Sequence, residues 1–205
     1  MCRRFYIEPE SEELAGIMRE LARSKLQDRF LKAGSAILTS GEIRPSCVVP
    51  VIAPNRQGKL AVYPMRWGFK IPGHSLIVNA RSETAAETPA FQEAWQRHRC
   101  IIPASWYYEW KHIYLPDGED KLSDKYMIQP KNYTATWICG LYRIEDQLPT
   151  FTVLTRNPAG ELRKIHDRMP LMLPKRKIKE WVSPAADPKT LLKDALTDMV
   201  FEKCV

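Results

Sequence analysis

The chain has 205 residues, 44% of them hydrophobic and 10% aromatic, which is enough to bury the core of one domain of ordinary size. No run of about 18 apolar residues occurs, which excludes a membrane-spanning helix, and the first segment, MCRRFYIEPESEE, turns acidic too early for a secretory signal. The net charge of +7 suits a polyanionic partner, of which nucleic acid is the commonest. We expect a cytoplasmic protein, associated with the nucleoid if its source is bacterial.

Three parts of the chain have helical spacing. Residues 11–33 repeat apolar side chains at intervals of three and four, with Ser11 placed to cap the start and Gly34 to end the helix. A second helix is predicted over residues 89–98, which a proline opens. Short helices, each introduced by a proline, are predicted within residues 174–205.

Most of the remaining chain has the composition of strands. Short segments rich in β-branched and aromatic residues, bounded by Pro, Gly, Asn or Asp, lie at residues 47–53, 59–65, 76–80, 99–104, 106–111, 125–129, 134–144 and 149–156. The polar residues 116–124 are predicted to form a hairpin loop or an exposed excursion. This pattern predicts an α+β fold, a single domain over residues 1–205 whose antiparallel or mixed sheet closes into a barrel-like core with flanking helices.

The cysteines are odd in number, widely spaced and never arranged as C-x-x-C. This spacing is not typical of a disulfide framework or of a tetrahedral zinc site, and we expect neither a metal nor a cofactor. The five are Cys2, Cys47, Cys100, Cys139 and Cys204.

Cys2 stands directly after the initiator methionine. If Met1 is removed, Cys2 carries a free α-amine and a thiol on adjacent carbons, and this 1,2-aminothiol has chemistry that an internal cysteine lacks. The alternative is a small buried hydrophobic residue with no chemical role.

Glu109 lies in a segment of aromatic residues that we interpret as a strand. Alternation along a strand puts Tyr107 and Glu109 on one face, and Tyr108 and Trp110 on the other. A carboxyl group among aromatic rings is desolvated, which raises its pKa and suits a general acid. The alternative is a glutamate that faces solvent or pairs with Lys111.

Further polar residues end or follow apolar strands. His166 has the chemistry of a proton shuttle, and Arg168 beside it can hold a phosphate, although a structural histidine is the simpler interpretation. Asn79 and Arg81 fall on one face at the end of a strand, unless they form a turn. Trp67 is either a surface platform that stacks on a base or a core residue.

Five motifs follow one another along the chain: MC-x-R-F, WGF, N-A-R-S-E-T, W-Y-Y-E-W and H-D-R-M-P. This ordered set closely resembles the SRAP family, the SOS-response-associated peptidase-like proteins that shield abasic sites in single-stranded DNA. The resemblance covers residues 2–173 and implies a compact α+β domain with a barrel-like sheet. It also implies that the partner is single-stranded DNA with abasic sites, including junctions with duplex DNA. Nothing in the sequence suggests an obligate dimer, and we expect a monomer. One departure is Arg3, where many members have glycine.

The resemblance also implies roles for individual residues. The implied reaction exposes Cys2 by loss of Met1 and joins it, through a thiazolidine, to the ring-opened sugar of an abasic site. The implied catalytic residues are Cys2, Asn79, Glu109 and His166. The positions implied to lie near the DNA strand are Arg4, Trp67, Arg81, Thr155, Arg168, Met169 and Pro170.

Two other functions fit parts of the same pattern. In an N-terminal-nucleophile amidohydrolase, Cys2 attacks an amide and its own α-amine acts as the base, and the "peptidase" in the family's name reflects a related idea of self-processing, such as removal of Met1. In a non-catalytic basic DNA-binding module, Cys2 is incidental and no covalent adduct forms.

Overall fold

The structure is a computed structural model that describes residues 2–114 and 120–204. The α-helices are α1 (Glu12–Leu21), α2 (Leu26–Lys32), α3 (Pro89–Arg97), α4 (Ile178–Val182) and α5 (Pro188–Leu191). Short 3-10 turns lie at Gly160–Lys164, Lys175–Lys177 and Leu192–Asp194. The strands are β1 (Arg4–Ile7), β2 (Gly41–Ile43), β3 (Val48–Pro54), β4 (Leu60–Trp67), β5 (Asn79–Arg81), β6 (Arg99–Ala104), β7 (Trp106–Tyr114), β8 (Asp120–Pro130), β9 (Thr136–Glu145), β10 (Leu148–Arg156), β11 (Met169–Pro170) and β12 (Met199–Lys203).

The core of the molecule is a closed barrel in which β10 pairs with β4, β4 with β3, β3 with β6, β6 with β9, and β9 again with β10. The β10–β4 pair is parallel and the other pairs of the ring are antiparallel. Nearly every residue of β3, β6 and β10 is buried, as the apolar composition of these segments requires. The predicted α+β fold with a mixed sheet closing into a barrel is confirmed.

A second, antiparallel sheet has the strand order β12-β8-β7-β1-β2. Its inner face packs on the barrel, where Phe5 of β1 lies against Trp67 of β4 with ring centroids 5.2 Å apart. In the register of this sheet Phe5 stands opposite both Ile43 of β2 and Tyr107 of β7. The N-terminal strand is thereby fixed between two neighbours, which places the residues before it beside β7.

The helix predicted over residues 11–33 is wrong in one respect, since the structure has two helices, α1 and α2, separated by a turn. The turn closes the end of α1: the backbone N–H of Ser24 and the side-chain amide of Gln27 each donate to Leu21 O at 2.8 Å. Leu21 of α1 and Phe30 of α2 are both buried. The break therefore lets two short helices pack on the barrel, whereas one straight helix would extend away from its surface.

Several short strands escape the sequence pattern. β1, β2 and β12 have only 4, 3 and 5 residues, mix charged with apolar side chains, and were not predicted. The segment predicted as a strand over 76–80 is regular only at β5 and otherwise makes a single bridge between Ile77 and Phe69. Of the predicted loop, residues 116–119 lie outside the described residues, and residues 120–124 belong to β8. The C-terminal region has its short helices and then β12, which pairs with β8.

A buried arginine holds the C-terminal helices to the barrel. Arg99 begins β6, and its guanidinium lies against the ring of Trp181 at 5.7 Å. The guanidinium donates hydrogen bonds to the backbone carbonyls of Trp95, Gln96, Trp181, Ser183 and Ala186. One side chain thus joins the end of α3 to the segment that follows α4.

None of the helices in residues 2–114 and 120–204 is long and apolar enough to cross a bilayer.

Candidate active site

Cys2 lies directly before β1 and is fully buried. Its thiol faces the backbone carbonyl of Arg4, with Sγ 3.8 Å from the oxygen. Burial raises the pKa of the Cys2 thiol far above its ordinary value, and the negative charge of Glu109 raises it further. The sulfur is therefore held as a neutral thiol near a carboxylate.

Glu109 occupies the inner face of β7, where its side chain is 4% exposed. Tyr107 is also buried, while Tyr108 and Trp110 are only partly buried on the outer face, so the predicted alternation is confirmed. The alternative of a solvent-facing Glu109 paired with Lys111 is wrong. Burial raises the pKa of Tyr107 well above its ordinary value, and the negative charge of Glu109 raises it further.

His166 faces Glu109 across the gap between the second sheet and the barrel. It is 7% exposed, and its Nε2 lies 3.8 Å from Glu109 Oε1. On the other side of the ring, Nδ1 accepts the backbone N–H of Arg168 at 3.0 Å and lies 2.6 Å from Asp167 Oδ1. The two contacts favour opposite states of Nδ1, because the amide N–H of Arg168 needs a lone pair there and the carboxylate of Asp167 needs a proton. In the doubly protonated ring, Asp167 is the acceptor for the proton on Nδ1.

Asn79 opens β5, which runs parallel to β10 with Asn79 opposite Val153. Both polar atoms of its side chain, Oδ1 and Nδ2, are buried and have no hydrogen-bond partner within the described ranges. A buried amide normally finds partners, so this one is available to a bound ligand. Its place at the start of a strand also removes the alternative in which it forms a turn.

Arg168 is held in an ion pair with Glu83, and its predicted phosphate-binding role stays a prediction. Arg168 is 9% exposed, and its two Nη atoms bond both carboxylate oxygens of Glu83 at 2.7 and 3.0 Å. They also donate to Asn157 Oδ1 at 2.6 Å and to Thr155 Oγ1 at 3.4 Å. Although burial acts to raise it, the bonds and charge of Arg168 lower the pKa of the Glu83 carboxyl. Arg168 is thus a positioning residue, because its side-chain bonds hold in place the backbone N–H that donates to His166 Nδ1.

Trp67 belongs to the core, so its predicted role as a surface platform is wrong. It is fully buried between the rings of Phe5 and Phe151, whose centroids lie 5.2 and 6.0 Å away. Its indole N–H donates to Val78 O at 2.9 Å. No face of the ring is left for a base.

Thr155, Met169 and Pro170 are also buried, and the prediction that they lie near the DNA strand stays a prediction. They form the antiparallel pair between the end of β10 and β11, with Thr155 opposite Pro170. The Thr155 hydroxyl donates to Ala80 O at 3.3 Å, which joins β10 to β5. Their role is to hold the strand ends that carry the site.

Two of the predicted DNA contacts do lie at the surface. Arg81, at the end of β5, is exposed, and its side chain has no hydrogen bond or ion pair with any part of the chain that the structure describes. Arg4 is partly exposed, pairs with Glu42, and lies 5.3 Å from the ring of Trp110. Of these two predicted contacts, Arg81 is the one whose cation is unpaired among the described residues.

The sequence pattern did not reveal the charge cluster on the outer face of the second sheet. Its centre is Glu42 of β2, which pairs with Arg4, Arg44 and Lys125. The ammonium of Lys125 also lies 3.7 Å from the ring centroid of Tyr108. Because β2 is too short to be recognised, nothing in the sequence pointed to its glutamate.

Replacing Glu42 with glutamine should destabilise the protein in a pH-dependent way. Although burial acts to raise it, the hydrogen bonds and charges of Lys125 and Arg4 lower the pKa of Glu42 from 4.5 to about 2. A lowered carboxyl pKa stabilises the fold above the unfolded-state value, and this stability is lost as the pH falls through the folded-state value. We expect a cost of about 1 kcal/mol at pH 7, discounted for partial exposure, that fades between about pH 4.5 and 2.

Thermal unfolding of the parent and of Glu42→Gln, followed by circular dichroism from pH 7 to pH 2, measures this difference. The control is Glu93→Gln, which changes an exposed carboxylate of α3. A difference between parent and Glu42→Gln that stays constant down to pH 2 would contradict the ion-pair origin of the stability.

Fold and site together define a class of protein: a closed mixed barrel, covered by a second sheet, with a buried N-terminal cysteine near a carboxylate that faces an imidazole. The chain belongs to the SRAP family, because the family model described as "SOS response associated peptidase (SRAP)" matches residues 1–203. The resemblance drawn from the five motifs is confirmed.

Relatives and solved structures agree with this assignment. The chain is 37% identical over 173 residues to the abasic site processing protein YobE of Bacillus subtilis, covering 77% of this chain and 74% of the relative. It is 35% identical over 173 residues to YoqW of Bacillus phage SPbeta, named likewise, covering 77% and 72%. A phage-related protein from Bordetella bronchiseptica, known from its crystal structure, shares the fold, with a TM-score of 0.73 and 22% identity over 99% of this chain and 94% of that one.

Proposed function

We propose that this protein processes abasic sites in single-stranded DNA by bonding Cys2 covalently to the sugar after Met1 is lost. The observation that carries the proposal is the convergence of three groups: the Cys2 thiol, the Glu109 carboxylate and the His166 ring. The names of the relatives support the substrate, since both are called abasic site processing proteins. The proposal takes residues 1–205 as one SRAP domain.

The first bond is made by the α-amine of Cys2 and not by its thiol. An ordinary α-amine has a pKa of about 7.7–8.0 and is substantially neutral at cellular pH, whereas the raised pKa keeps the thiol protonated. The nitrogen adds to C1′ of the open-chain aldehyde, and the carbinolamine then loses water to give an imine. The amidohydrolase alternative requires the thiol to attack as a thiolate, and burial opposes that form in the chain that retains Met1.

The thiol closes the ring in the second step. Its sulfur bonds to the imine carbon while its proton moves to the nitrogen, which gives a five-membered thiazolidine. Because both groups belong to one residue, the effective concentration is on the order of 10⁵ M or more, and ring closure outruns hydrolysis of the imine. The product is a stable link between protein and DNA.

The neighbouring groups have separate tasks in this reaction. Glu109, on the same buried face as Tyr107, accepts the proton that the amine releases as it adds to the aldehyde and returns it to the hydroxyl that leaves the carbinolamine. The amide of Asn79, buried and unbonded among the described residues, orients the amine or a sugar hydroxyl. His166 exchanges a proton through Nε2, which faces Glu109, while the amide of Arg168 holds the ring in place.

The simplest test is incubation with an oligonucleotide that carries one abasic site, followed by denaturing electrophoresis. We expect a heat-stable band of retarded mobility with abasic single-stranded DNA and none with the intact oligonucleotide. The intact mass of the purified protein should lack one methionine. A functional protein that retains Met1 would overturn the mechanism.

Glu109 and His166 should affect opposite directions of the reaction. Glu109→Gln should slow formation of the adduct by about 10²-fold or more, because an amide cannot protonate the leaving hydroxyl. His166→Ala should still form the adduct but release it far more slowly, since reopening the thiazolidine needs a proton and then water. Two time courses measure this: adduct formation, and transfer from labelled DNA to excess unlabelled abasic DNA. Reversal in His166→Ala at the parent rate would show that Glu109 serves both directions.

DNA binding is expected to depend on Arg81 and not on Arg168. A single strand is preferred to duplex because its sugar reaches the site without unpairing, which costs a few kcal/mol, and we propose that a monomer binds it. Arg81→Ala should reduce the slope of log K against log salt by about 0.7, the value for one phosphate of a single strand. Arg168→Ala is the matched comparison, and it should leave the slope unchanged because Glu83 neutralises its charge.

Fluorescence anisotropy with a labelled intact oligonucleotide at several salt concentrations measures both slopes. If Arg168→Ala lowers the slope as much as Arg81→Ala, Arg168 reaches a phosphate in the complex, and its ion pair with Glu83 must open.

A further inference from the structure

The outside of the barrel carries a groove that shares no residue with the site of Cys2, Glu109 and His166. It lies where the turn between α1 and α2 meets β4, and it consists of two adjoining cavities of about 670 and 450 Å³. Leu26 and Tyr63 line both cavities and form their common wall. The two cavities therefore act as one groove with two ends of different character.

The larger end of the groove is cationic. Arg19, Arg23 and Lys25 line it, all three are exposed, and in the described ranges none of them takes part in an ion pair. The one acid among its described lining residues is Glu20, whose carboxylate accepts the backbone N–H of Val62 at 3.2 Å. Three unpaired cations in one cavity favour a ligand with more than one negative charge.

The smaller end of the groove is apolar. Its lining includes Met65, Tyr142, Ile144 and Pro149, and Ile144 is 64% exposed. Arg29 stands at this end and donates to Gln147 Oε1 at 3.1 Å, which keeps one more cation beside the apolar wall. An exposed isoleucine in a concave apolar wall marks a site for an apolar side chain of a ligand.

We propose that this groove binds an acidic peptide segment of a partner protein, with an aromatic or aliphatic anchor residue in the apolar end and carboxylates at the cationic end. A nucleic acid fits less well for two reasons. The cations cluster at one end and do not follow a strand, and aliphatic and proline side chains offer no hydrogen bonds to base edges. The proposal is independent of the proposed function, because none of its residues belongs to the active site.

The probe is a fluorescein-labelled peptide of four aspartates followed by glycine, leucine and phenylalanine, titrated with the full-length protein in fluorescence anisotropy. We expect micromolar affinity that falls as salt is added. A peptide with asparagines in place of the aspartates, and one with serines in place of leucine and phenylalanine, should each bind at least about tenfold more weakly.

The variants test the two ends separately. Arg23→Glu with Lys25→Glu should weaken binding by about tenfold or more, and Ile144→Ser by several-fold. The matched control is Arg176→Glu with Lys179→Glu, which makes the same charge change in another cationic cleft, and it should leave peptide affinity within about twofold. All of these side chains are exposed, so the variants should unfold at the parent temperature.

Three results would overturn the proposal. The first is equal binding by the parent and the double variant at positions 23 and 25. The second is displacement of the peptide by an equimolar single-stranded oligonucleotide, which would assign the groove to nucleic acid. The third is self-association in sedimentation experiments that the double variant abolishes, which would assign it to a second copy of the chain.

Discussion

Replacing Cys2 with alanine should abolish the heat-stable adduct with abasic single-stranded DNA. Alanine keeps the α-amine but removes the sulfur, so an imine can form and no thiazolidine can close. Cys2→Ser should give at most an imine, which borohydride traps and which hydrolyses without it, because a hydroxyl is a poorer nucleophile than sulfur. Denaturing electrophoresis with and without borohydride separates these outcomes.

The matched control is Cys204→Ala, which removes a partly buried thiol at the far end of the chain. It should form the adduct at the parent rate. A heat-stable adduct of Cys2→Ala in parent yield would contradict the mechanism and point to a lysine as the nucleophile.

Replacing Arg99 with leucine should cost about 3–5 kcal/mol of the free energy of unfolding, the largest effect on stability that we expect. The guanidinium donates to carbonyls of the α3 end and of the segment after α4, and leucine leaves those buried acceptors without their donor. For a chain of this size the loss corresponds to a fall of about 10 °C in Tm. Urea unfolding followed by tryptophan fluorescence measures it, since Trp95 and Trp181 lie beside Arg99.

Arg97→Leu is the comparison, because Arg97 is the exposed arginine two residues earlier in the chain. It should change stability by no more than about 0.5 kcal/mol. Arg99→Lys should restore only part of the loss, since one ammonium cannot reach carbonyls spread around a planar guanidinium. Equal stability of Arg97→Leu and Arg99→Leu would mean that the carbonyls find other donors.

What the sequence predicted well rests on local periodicity. The alternation in β7 placed Glu109 and Tyr107 on one face, and the strand composition predicted an antiparallel or mixed sheet closing into a barrel; both are confirmed. Periodicity works here because β7 has one buried and one partly exposed face. The five motifs predicted the family because they occur in a fixed order along the chain, which can also be read from the sequence alone.

What the sequence predicted poorly depends on contacts between distant segments. The ion pair of Arg168 could not be predicted, because its partner Glu83 lies 85 residues earlier in the chain. Trp67 carries a motif, but whether an indole faces solvent is decided by what packs on it, and here Phe5 of the N-terminal strand does. A motif shows that a position is important, but it does not show whether the side chain there faces solvent or the core.

The neutral, buried thiol of Cys2 has a consequence for the conditions in which such a protein works. Peroxide oxidises cysteine through the thiolate, at a rate that follows thiolate content and exposure. A fully buried thiol with a raised pKa has little thiolate and no exposed surface. We therefore expect peroxide to oxidise the Cys2 thiol slowly in the chain that retains Met1. In the proposed mechanism, the sulfur reacts only after the amine beside it has captured a bound aldehyde.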